Sequence, residues 1–472
     1  MEINMNNKMI FNGQKITGNG QAFEVINPAN CTVISNCNEA DHKQIEECVK
    51  AANDAFQKWK HIDDKCVRHS LEQVAKDIAE EKNDIAKIIT LEQGKPLQLA
   101  LLEVDLALYW IETIKNYEIP VDHIEDPMGK KMEVHNKPLG VVASITPWNW
   151  PFVIAIWHII PALKTKNCII NKPSEFTPLS TIKLVEIINR HFPSGVCNLI
   201  LGKGEVGRAL TEHPQVQKIT FTGSTKTGIS ILNGTVGQFK KVVLELGGND
   251  AAIILDDVNI ESVAEKVFQS AFFNAGQTCA CIKRLYIHEK VYDPFVSKLS
   301  ELADKQKVGD GMESQTTFGP VQNEIQYLKV KNILKKAITN GAKVLNNPQK
   351  ISDSGYFIFP TLVGEVNENM EILTEEQFGP ILPIVKYSDV GEVIKDINRS
   401  EYGLGGSVWS SNIDKAKTIA DQLECGTVWI NSHADVSPLA EFGGWKTSGI
   451  GYAFGKSGLL AYTKKQAIHI SN

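Results

Sequence analysis

The 472-residue sequence predicts an α/β fold in which a parallel sheet is covered by helices on both faces. From residue 140 onward, short apolar runs alternate with amphipathic stretches, which is the pattern that β-α-β units produce. The segment between the second and third runs, 178–191, has Ile182, Val185 and Ile188 on one helical face. Parallel sheets bind ligands beyond the carboxyl ends of their strands, so the residues that follow the runs are the first candidates for a site. The predicted strands are 141–145, 168–171, 197–201, 219–222 and 242–244.

The segments on either side of this sheet have their own periodicities. The N-terminal third predicts helices at 45–59, 78–89 and 97–114, because apolar residues recur there at helical spacing. Residues 119–138 read as strand, turn and strand, and 461–470 is a candidate strand partner for them. A second alternating region begins at residue 251, includes a strand at 284–288 and continues to about residue 430. It predicts a second α/β domain.

Composition excludes several classes of protein. The formal net charge is −6 and no run of Lys and Arg follows a nucleic-acid backbone, so we expect no nucleic-acid partner. The nine cysteines are scattered without a C-x-x-C pair, which indicates a reducing compartment, and we expect a cytoplasmic protein without a metal site. Residues 139–163 lack charged side chains, but Pro147 and Pro151 would break a membrane helix. We expect a buried strand, a turn and a buried helix there.

Three residues are the sharpest candidates for chemistry. Cys279 follows a small-residue stretch and is a candidate nucleophile, although a single cysteine is more often structural. Glu245 ends an apolar strand before two glycines, where burial would raise its pKa for general-base work, although such a Glu often reaches solvent. Asn149 lies in a rigid aromatic turn and is a candidate oxyanion donor, although such an Asn often only stabilises its turn.

These residues lie in segments that resemble the motifs of the aldehyde dehydrogenase superfamily. The resemblance covers essentially the whole length, with nine motifs in the family's order. They are LEQGKP (91–96), ITPWNWP (145–151), NKPSEFTP (171–178), FTGSTKTG (221–228), LELGG (244–248), FNAGQTC (273–279), EEQFGP (375–380), GTVWIN (426–431) and FGGWKTSGIG (442–451).

The resemblance implies the division of the chain. It implies a Rossmann-type nucleotide-binding domain of residues 1–117 and 139–246, and a second α/β catalytic domain of residues 247–446. A small β oligomerisation element would comprise 118–138 and 447–472. Such elements form the subunit interface in the family, so we expect a homodimer or a homotetramer.

The resemblance also implies roles for individual residues. Cys279 would be the nucleophile, Glu245 the base that activates water for thioester hydrolysis, and Asn149 an oxyanion donor together with the Cys279 N–H. Lys172 and Glu175 would lie at the adenosine ribose. A carboxylate there repels a 2′-phosphate, so NAD is favoured over NADP. The literal G-x-G-x-x-G at 202–207 is not the family's pyrophosphate loop and is discounted, although Gly204 is expected near the adenine. The residues expected to contact NAD are Ile145, Thr146, Pro147, Trp148, Lys172, Ser174, Glu175, Gly204, Phe221, Gly223, Ser224, Leu246, Glu376 and Phe378.

The expected aldehyde pocket is apolar and aromatic. Trp150, Ile154 and Trp157 share one helical face, which by resemblance lines the substrate tunnel, although Ile154 is equally consistent with a core position. Thr278, Val436 and Phe442 complete the expected pocket. No Arg pair is present for a second carboxylate, so a dicarboxylic semialdehyde is not favoured, whereas aromatic and amino-aldehydes both remain open.

Two polar residues, Glu441 and His433, lie near the expected pocket. Glu441 precedes Phe-Gly-Gly where the family commonly has Pro, which would place a charge beside the substrate funnel. His433 follows Asn431 near the mouth of the same funnel and is expected on a surface loop, although a role in tuning substrate binding remains open. Two other functions remain open: a catalytically retired NAD-binding or structural homologue, which would have lost Cys279 or Glu245, and a cysteine esterase, for which no motif places a histidine beside Cys279.

Overall fold

The computed structural model describes residues 7–352 and 354–471. The elements of its first half are β1 (Met9–Phe11), β2 (Gln14–Ile16), β3 (Ala22–Asn27), β4 (Thr32–Asn38), α1 (His42–Trp59), α2 (Asp64–Glu80), α3 (Lys82–Gln93), α4 (Leu97–Lys115), β5 (Val121–Glu125), β6 (Lys131–Pro138), β7 (Val141–Ile145), α5 (Pro151–Lys164), β8 (Cys168–Lys172), α6 (Leu179–Ile188), β9 (Cys197–Leu199), α7 (Gly204–Glu212), β10 (Val216–Thr222), α8 (Thr225–Thr235) and β11 (Lys241–Glu245).

The second half repeats the alternation of strands and helices. Its elements are β12 (Ala251–Ile254), α9 (Ile260–Phe272), a 3₁₀ turn (Phe273–Gly276), β13 (Arg284–His288), α10 (Glu289–Asp304), α11 (Glu324–Thr339), β14 (Lys343–Val344), β15 (Thr361–Gly364), α12 (Glu371–Thr374), β16 (Ile381–Tyr387), α13 (Val390–Asn398), β17 (Tyr402–Gly403), β18 (Gly405–Trp409), α14 (Ile413–Ala420), β19 (Thr427–Ile430), β20 (Trp445–Lys446), β21 (Gly449–Ile450), α15 (Gly455–Leu460) and β22 (Thr463–Ile470).

Two large sheets confirm the predicted α/β class. The first has the order β2-β1-β9-β8-β7-β10-β11-β21, and its strands β9, β8, β7, β10 and β11 are parallel. The second has the order β14-β15-β16-β13-β12-β18-β19 and is parallel from β15 to β19. In the first sheet the chain runs outward from β7 in both directions. Ligands bind at such a switch point, outside the carboxyl ends of the strands.

The N-terminal third is less helical than its periodicity predicts. Strands β1 to β4 occupy it before the first helix, and they were not predicted. β1 is buried, but β1 and β2 are only three residues long and extend the edge of the first sheet, and β3 and β4 form a separate hairpin, so neither pair gives a long apolar run. The helix predicted at 78–89 is also wrong as one element, because α2 ends at Glu80 and α3 begins at Lys82.

A small third sheet has the order β22-β6-β5, which confirms the predicted strand–turn–strand and its C-terminal partner. The segment that precedes β22 belongs elsewhere, since β21 pairs with β11 in the first sheet. The uncharged stretch 139–163 forms β7, a turn and the buried helix α5, as predicted. Within 7–352 and 354–471, no helix is long and apolar enough to cross a membrane.

Candidate active site

The first sheet aligns the candidate cofactor residues at one edge. In the parallel ladders, Ile145 of β7 is paired with Lys172 of β8 on one side and with Phe221 of β10 on the other. One strand further, Thr222 is paired with Glu245 of β11. All of these residues end their strands or nearly do so, and the loops that follow therefore leave the sheet side by side.

The turn after β7 joins this edge to the loop that carries Cys279. The Asn149 side chain is buried, and its Nδ2 donates to the carbonyl oxygen of Gln277 at 2.9 Å. In return, Asn274 Nδ2 donates to the carbonyl oxygen of Asn149 at 2.9 Å. One hydrogen of the Asn149 amide is thus engaged, and the second is available to a developing oxyanion beside Cys279.

The loop before Cys279 has an uncommon backbone conformation. Asn274, Ala275 and Gly276 have φ values of 52°, 56° and 72°, which is the left-handed region that non-glycine residues seldom adopt. A Cβ at Gly276 would lie 2.4 Å from the carbonyl oxygen of Gly379, so only glycine permits this close approach. Lys283 Nζ donates to the Gly276 carbonyl at 2.5 Å. The loop is held in a conformation that its own residues do not favour.

Cys279 lies among acidic groups. Its pKa is raised, mainly by burial and further by the negative charges of Glu376, Asp250 and Glu245, while the positive charge of Lys283 opposes the shift. The side chain therefore rests as a thiol at neutral pH, and a base must remove its proton before it can act as a nucleophile.

The Glu245 carboxylate is buried at the end of β11, and neither of its oxygens has a hydrogen-bond partner within the described part of the chain. This burial raises the pKa of Glu245. Its backbone is fixed in β11, since its carbonyl oxygen accepts the Gly223 N–H at 3.0 Å. A carboxylate with free lone pairs in a dry place can take a proton from a thiol or a water.

The residues expected at the adenosine ribose lie at the end of β8. Lys172 Nζ donates to the carbonyl oxygens of Pro173 and Gly202, at 2.9 and 2.7 Å, and burial lowers its pKa. Glu175 is half-buried and interacts electrostatically with Lys172. The lysine fixes the loop that leads into α7, and the Glu175 carboxylate stays available to sugar hydroxyls.

The residues expected to contact the rest of a dinucleotide lie at the N-terminal ends of α7 and α8, two helices that pack on each other. Gly204 begins α7, and nothing lies within 4 Å of where its Cβ would be. Ser224 caps the eleven-residue helix α8 through the Thr227 N–H, and Gly223 precedes it. The free N–H groups in the first turn of such a helix suit the pyrophosphate of NAD.

The residues expected near the nicotinamide contact residues from the other half of the chain. Glu376 accepts the Gly248 N–H at 3.1 Å, and burial raises its pKa to about 7. Phe378 has a φ of 49° and packs edge-on against Trp148, with the ring centroids 5.3 Å apart. The other expected cofactor residues are at the same strand ends: Thr146 and Pro147 after β7, Ser174 after β8 and Leu246 after β11.

The expected substrate residues divide into two groups. Trp150 is close to the nucleophile, because its Nε1 donates to Thr278 Oγ1 at 2.8 Å and its ring centroid lies 4.9 Å from that of Phe273. Ile154 is only 2% exposed and packs in the core, and Val436 is half-buried against the same core. For Ile154 the structure therefore favours the core position.

The second group is an aromatic cluster that sequence reasoning only partly identified. Trp157 packs against Trp110 and Phe454 with centroid distances of 5.3 and 4.9 Å, and Phe442 stacks on Phe454 at 5.7 Å. Trp110 and Phe454 were not predicted. Helical spacing shows that Trp110 faces the core, but nothing in its neighbourhood reveals which aromatic residues it meets.

Glu441 and His433 both differ from expectation. The Glu441 carboxylate accepts the Ser457 N–H at 3.1 Å near the start of α15, and this bond lowers its pKa, so its charge serves a helix terminus. The surface position expected for His433 is wrong. Its side chain is 0% exposed and lies against Trp429, with Nε2 3.5 Å from Asp250 Oδ2.

The remaining cysteines are not arranged for chemistry. Cys281 is buried, with Sγ 3.5 Å from the carbonyl oxygen of Phe273, as expected for a packing residue. All nine cysteines are free. Among residues 7–352 and 354–471, no group of His, Cys, Asp and Glu is arranged to hold a metal ion.

Comparison with known proteins gives matches along nearly the whole chain. The sequence model of the Aldehyde dehydrogenase family matches residues 15–468. The mitochondrial aldehyde dehydrogenase of Leishmania tarentolae is 36% identical over 98% of this chain and 95% of that protein. Among solved structures, an NADP-dependent enzyme of E. coli has a TM-score of 0.97 and 34% identity over 100% of both chains. The NAD⁺ complex of an aldehyde dehydrogenase from Bacillus cereus has a TM-score of 0.96 and 34% identity, over 99% of this chain and 97% of that one.

The unpartnered Glu245 carboxylate predicts a stability effect that depends on pH. In the unfolded chain this group ionises near its ordinary pKa of 4.5, whereas in the folded chain burial holds the proton more tightly. The folded protein therefore loses stability as the pH rises above that value. We expect Glu245→Gln to raise the Tm relative to the parent protein, and the difference to grow from about pH 5 to about pH 8.

The matched control is Glu92→Gln. Glu92 is also fully buried, but its carboxylate accepts the Leu179 and Ser180 N–H groups at 2.6 and 2.9 Å. Burial also raises the pKa of Glu92, to about 8, so the Tm difference of Glu92→Gln should change with pH in the same direction. At about pH 5, however, Glu92→Gln should lower the Tm, because one acceptor is lost from the first turn of α6. A Glu245→Gln difference that stays constant across pH would show that the pKa of Glu245 is not raised.

Proposed function

Since the chain belongs to the aldehyde dehydrogenase family and is an NAD(P)-dependent enzyme that oxidises aldehydes to acids, we propose that Cys279, Glu245 and Asn149 carry out its chemistry. Cys279 is the nucleophile, Glu245 the general base and Asn149 the oxyanion donor. The observation that carries the proposal is the reciprocal contact between Asn149 and the Cys279 loop, at the sheet edge that Glu245 also occupies.

The proposed steps follow from the protonation states of these groups. The Cys279 thiol loses its proton to water, and the sulfur then bonds to the aldehyde carbon. Asn149 Nδ2 and the Cys279 N–H donate to the resulting oxyanion, which stabilises the thiohemiacetal. NAD supplies, when bound, the acceptor for the hydride that leaves this carbon. Glu245 next deprotonates a water that attacks the thioester, and the acid leaves as the Cys279 sulfur departs.

NAD is proposed as the preferred cofactor because of the carboxylate at Glu175. The same carboxylate that accepts hydrogen bonds from two ribose hydroxyls would repel a 2′-phosphate. Lys172 lies beside it, but its amine is already engaged by two backbone carbonyls. The two solved relatives described above are an NADP-dependent enzyme and a complex with NAD⁺, so the family fold accepts both.

The proposed substrate is an apolar aldehyde, aliphatic or aromatic. Beside Cys279, Trp150 contacts Phe273 and Thr278, which offer a ring and a hydroxyl. Of the two lysines in this region, Lys95 is covered by the Trp150 ring and paired with Glu103, and Lys283 donates to the Gly276 carbonyl. Both amines are therefore engaged and are not offered to a substrate carboxylate. Glu441 is engaged at α15 and does not contribute a charge to the proposed pocket.

We also propose an assembly, a compartment and a division of the chain, from the exposed strand β5, the free cysteines and the pairing of the sheets. The three-stranded sheet of β5, β6 and β22 has an exposed outer strand, with Ile124 and Val121 at its surface, which suits a homodimer or homotetramer interface. Nine free cysteines suit a reducing compartment such as the cytoplasm. We keep the three-part division at residues 117, 138, 246 and 446, with Gly449–Ile450 attached to the first sheet.

The test of the mechanism is a first-turnover experiment on Glu245→Gln. We expect a burst of about one NADH per active site, followed by turnover at least about 10²-fold below that of the parent enzyme. The reason is that acylation does not need Glu245, whereas hydrolysis of the thioester does. Stopped-flow absorbance measures both phases. Cys279→Ala should give no burst, and Cys281→Ala, which alters only a packed thiol, should keep most of the turnover. NAD binding without any NADH formation in the parent protein would instead indicate a retired homologue.

The test of cofactor choice is Glu175→Gln. We expect the ratio of kcat/KM for NAD to that for NADP to fall about tenfold, equivalent to about 1.4 kcal/mol, because the repulsion of the 2′-phosphate is removed. Glu205→Gln is the control, since that carboxylate lies in the first turn of α7 but is exposed and paired with Arg208. An unchanged ratio in Glu175→Gln would remove Glu175 from the ribose site.

The test of substrate class is a panel of hexanal, benzaldehyde, succinic semialdehyde and a quaternary-ammonium aldehyde. We expect kcat/KM for the first two to exceed that for succinic semialdehyde by about tenfold or more, since the aromatic pocket offers no free cation to its carboxylate. The quaternary-ammonium aldehyde should rank above the semialdehyde, because aromatic rings attract a cation. NADH absorbance gives the ranking, and highest efficiency with succinic semialdehyde would contradict the proposed pocket.

A further inference from the structure

We infer that the buried ion pair of Lys95 and Glu103 positions Asn149 for its oxyanion role, an assignment that rests on the proposed function. Lys95 Nζ lies 2.6 Å from Glu103 Oε2, and both side chains are 0% exposed. A pair this deeply buried loses much of its Coulombic gain to desolvation, and apolar residues of similar size often serve stability as well. Its contacts with the active-site turn suggest what it does instead.

The ammonium of Lys95 is bonded directly to the residue that it is proposed to position. Besides Glu103, its Nζ donates to the carbonyl oxygen of Asn149 at 3.0 Å and lies 3.5 Å from the centroid of the Trp150 ring. An ammonium has three hydrogens, and these three contacts account for them. Lys95 therefore fixes the peptide group of Asn149 and the aromatic ring that follows it.

The carboxylate of Glu103 fixes the other side of the same turn. Its Oε1 accepts the N–H groups of Phe152 and Val153, at 2.9 and 3.1 Å, in the first turn of α5. Trp150, the residue before the helix, provides no side-chain cap of its own. A carboxylate at that end both satisfies free donors and interacts favourably with the helix dipole. Glu103 thus sets where α5 begins, directly after Asn149.

The Asn149 carbonyl connects this pair to the Cys279 loop. It accepts from Lys95 Nζ on one side and from Asn274 Nδ2, at 2.9 Å, on the other. Asn274 is one of the residues in the left-handed region of the backbone. Two donors from separate parts of the chain converge on one oxygen, and the Asn149 side chain leaves from the same residue toward Gln277. Loss of Lys95 would free one side of this anchor.

The competing explanation is that the pair only joins α4 to α5 and has no effect on the reaction. A matched pair at the far end of α5 separates the two explanations. Lys164 is also 0% exposed, and its Nζ lies 2.9 Å from both carboxylate oxygens of Asp64. Lys164→Met therefore removes a buried lysine at the other end of α5 and leaves the contacts of Asn149 unchanged.

The experiment compares the intact enzyme with Lys95→Met/Glu103→Gln, in which both charges are removed together so that neither is left unpaired. Each protein is assayed for the first-turnover rate of NADH formation with hexanal and NAD, and for the rate at which iodoacetamide alkylates Cys279. Alkylation displaces iodide and forms no oxyanion, so it needs the thiol but not Asn149.

We expect the double variant to lose about 10²-fold in first-turnover rate, the order of effect that misplacement of a reacting group produces. Its alkylation rate should change less than about twofold, while Lys164→Met should keep both rates. In an Asn149→Ala background the same double substitution should add little, because its effect passes through Asn149.

Two results would overturn the inference. One is a first-turnover rate within about twofold of the parent enzyme, and the other is an equal fall in turnover and alkylation, which marks general loss of structure. A full additional loss in the Asn149→Ala background would likewise place the effect elsewhere. A parent protein that is alkylated at Cys279 but forms no NADH would contradict the proposed function itself, and the two failures are thereby distinguishable.

Discussion

The parallel register of β7, β8, β10 and β11 is the constraint on which the site depends. Ladder hydrogen bonds place Ile145 between Lys172 and Phe221, and they set Glu245 beside Thr222. A slip of one residue would turn each side chain to the opposite face of the sheet, because strand side chains alternate. The loops expected to bind the cofactor and the proposed base are therefore positioned by backbone bonds, far more rigidly than a surface loop could position them.

The proposed nucleophile, Cys279, reaches this edge from the other half of the chain. Its loop follows α9 and returns into β13 of the second sheet, and it meets the first sheet through Asn149 and the carbonyl of Gln277. The left-handed residues before Cys279 are unfavourable on their own, so they persist only while the surrounding contacts hold them. The reacting centre is consequently a junction between two sheets, and its geometry depends on both.

The sequence predicted the elements that are buried on both faces and missed those that depend on distant partners. Strand β7 matched its predicted range because a parallel strand reads as an unbroken apolar run. His433 was misplaced because Trp429 and Asp250, which enclose it, are brought there only by tertiary packing. Glu103 did carry a signal, since it is a charge on the apolar face of α4. Its partner Lys95 lies eight residues earlier, before Pro96 and outside helical spacing, so the pair could not be predicted.

The buried carboxylates themselves distinguish structure from chemistry. Glu92 and Glu103 each accept two backbone N–H groups at the start of a helix, so their burial is compensated by bonds that the helices need. Glu245 is also buried, and among the described residues its carboxylate has no hydrogen-bond partner. An uncompensated carboxylate destabilises a fold, and an apolar residue at the end of β11 would remove that cost. The unsatisfied carboxylate lies where the expected cofactor loops and the Cys279 loop meet, and its unused capacity to accept a proton is therefore the strongest support for Glu245 as the proposed base.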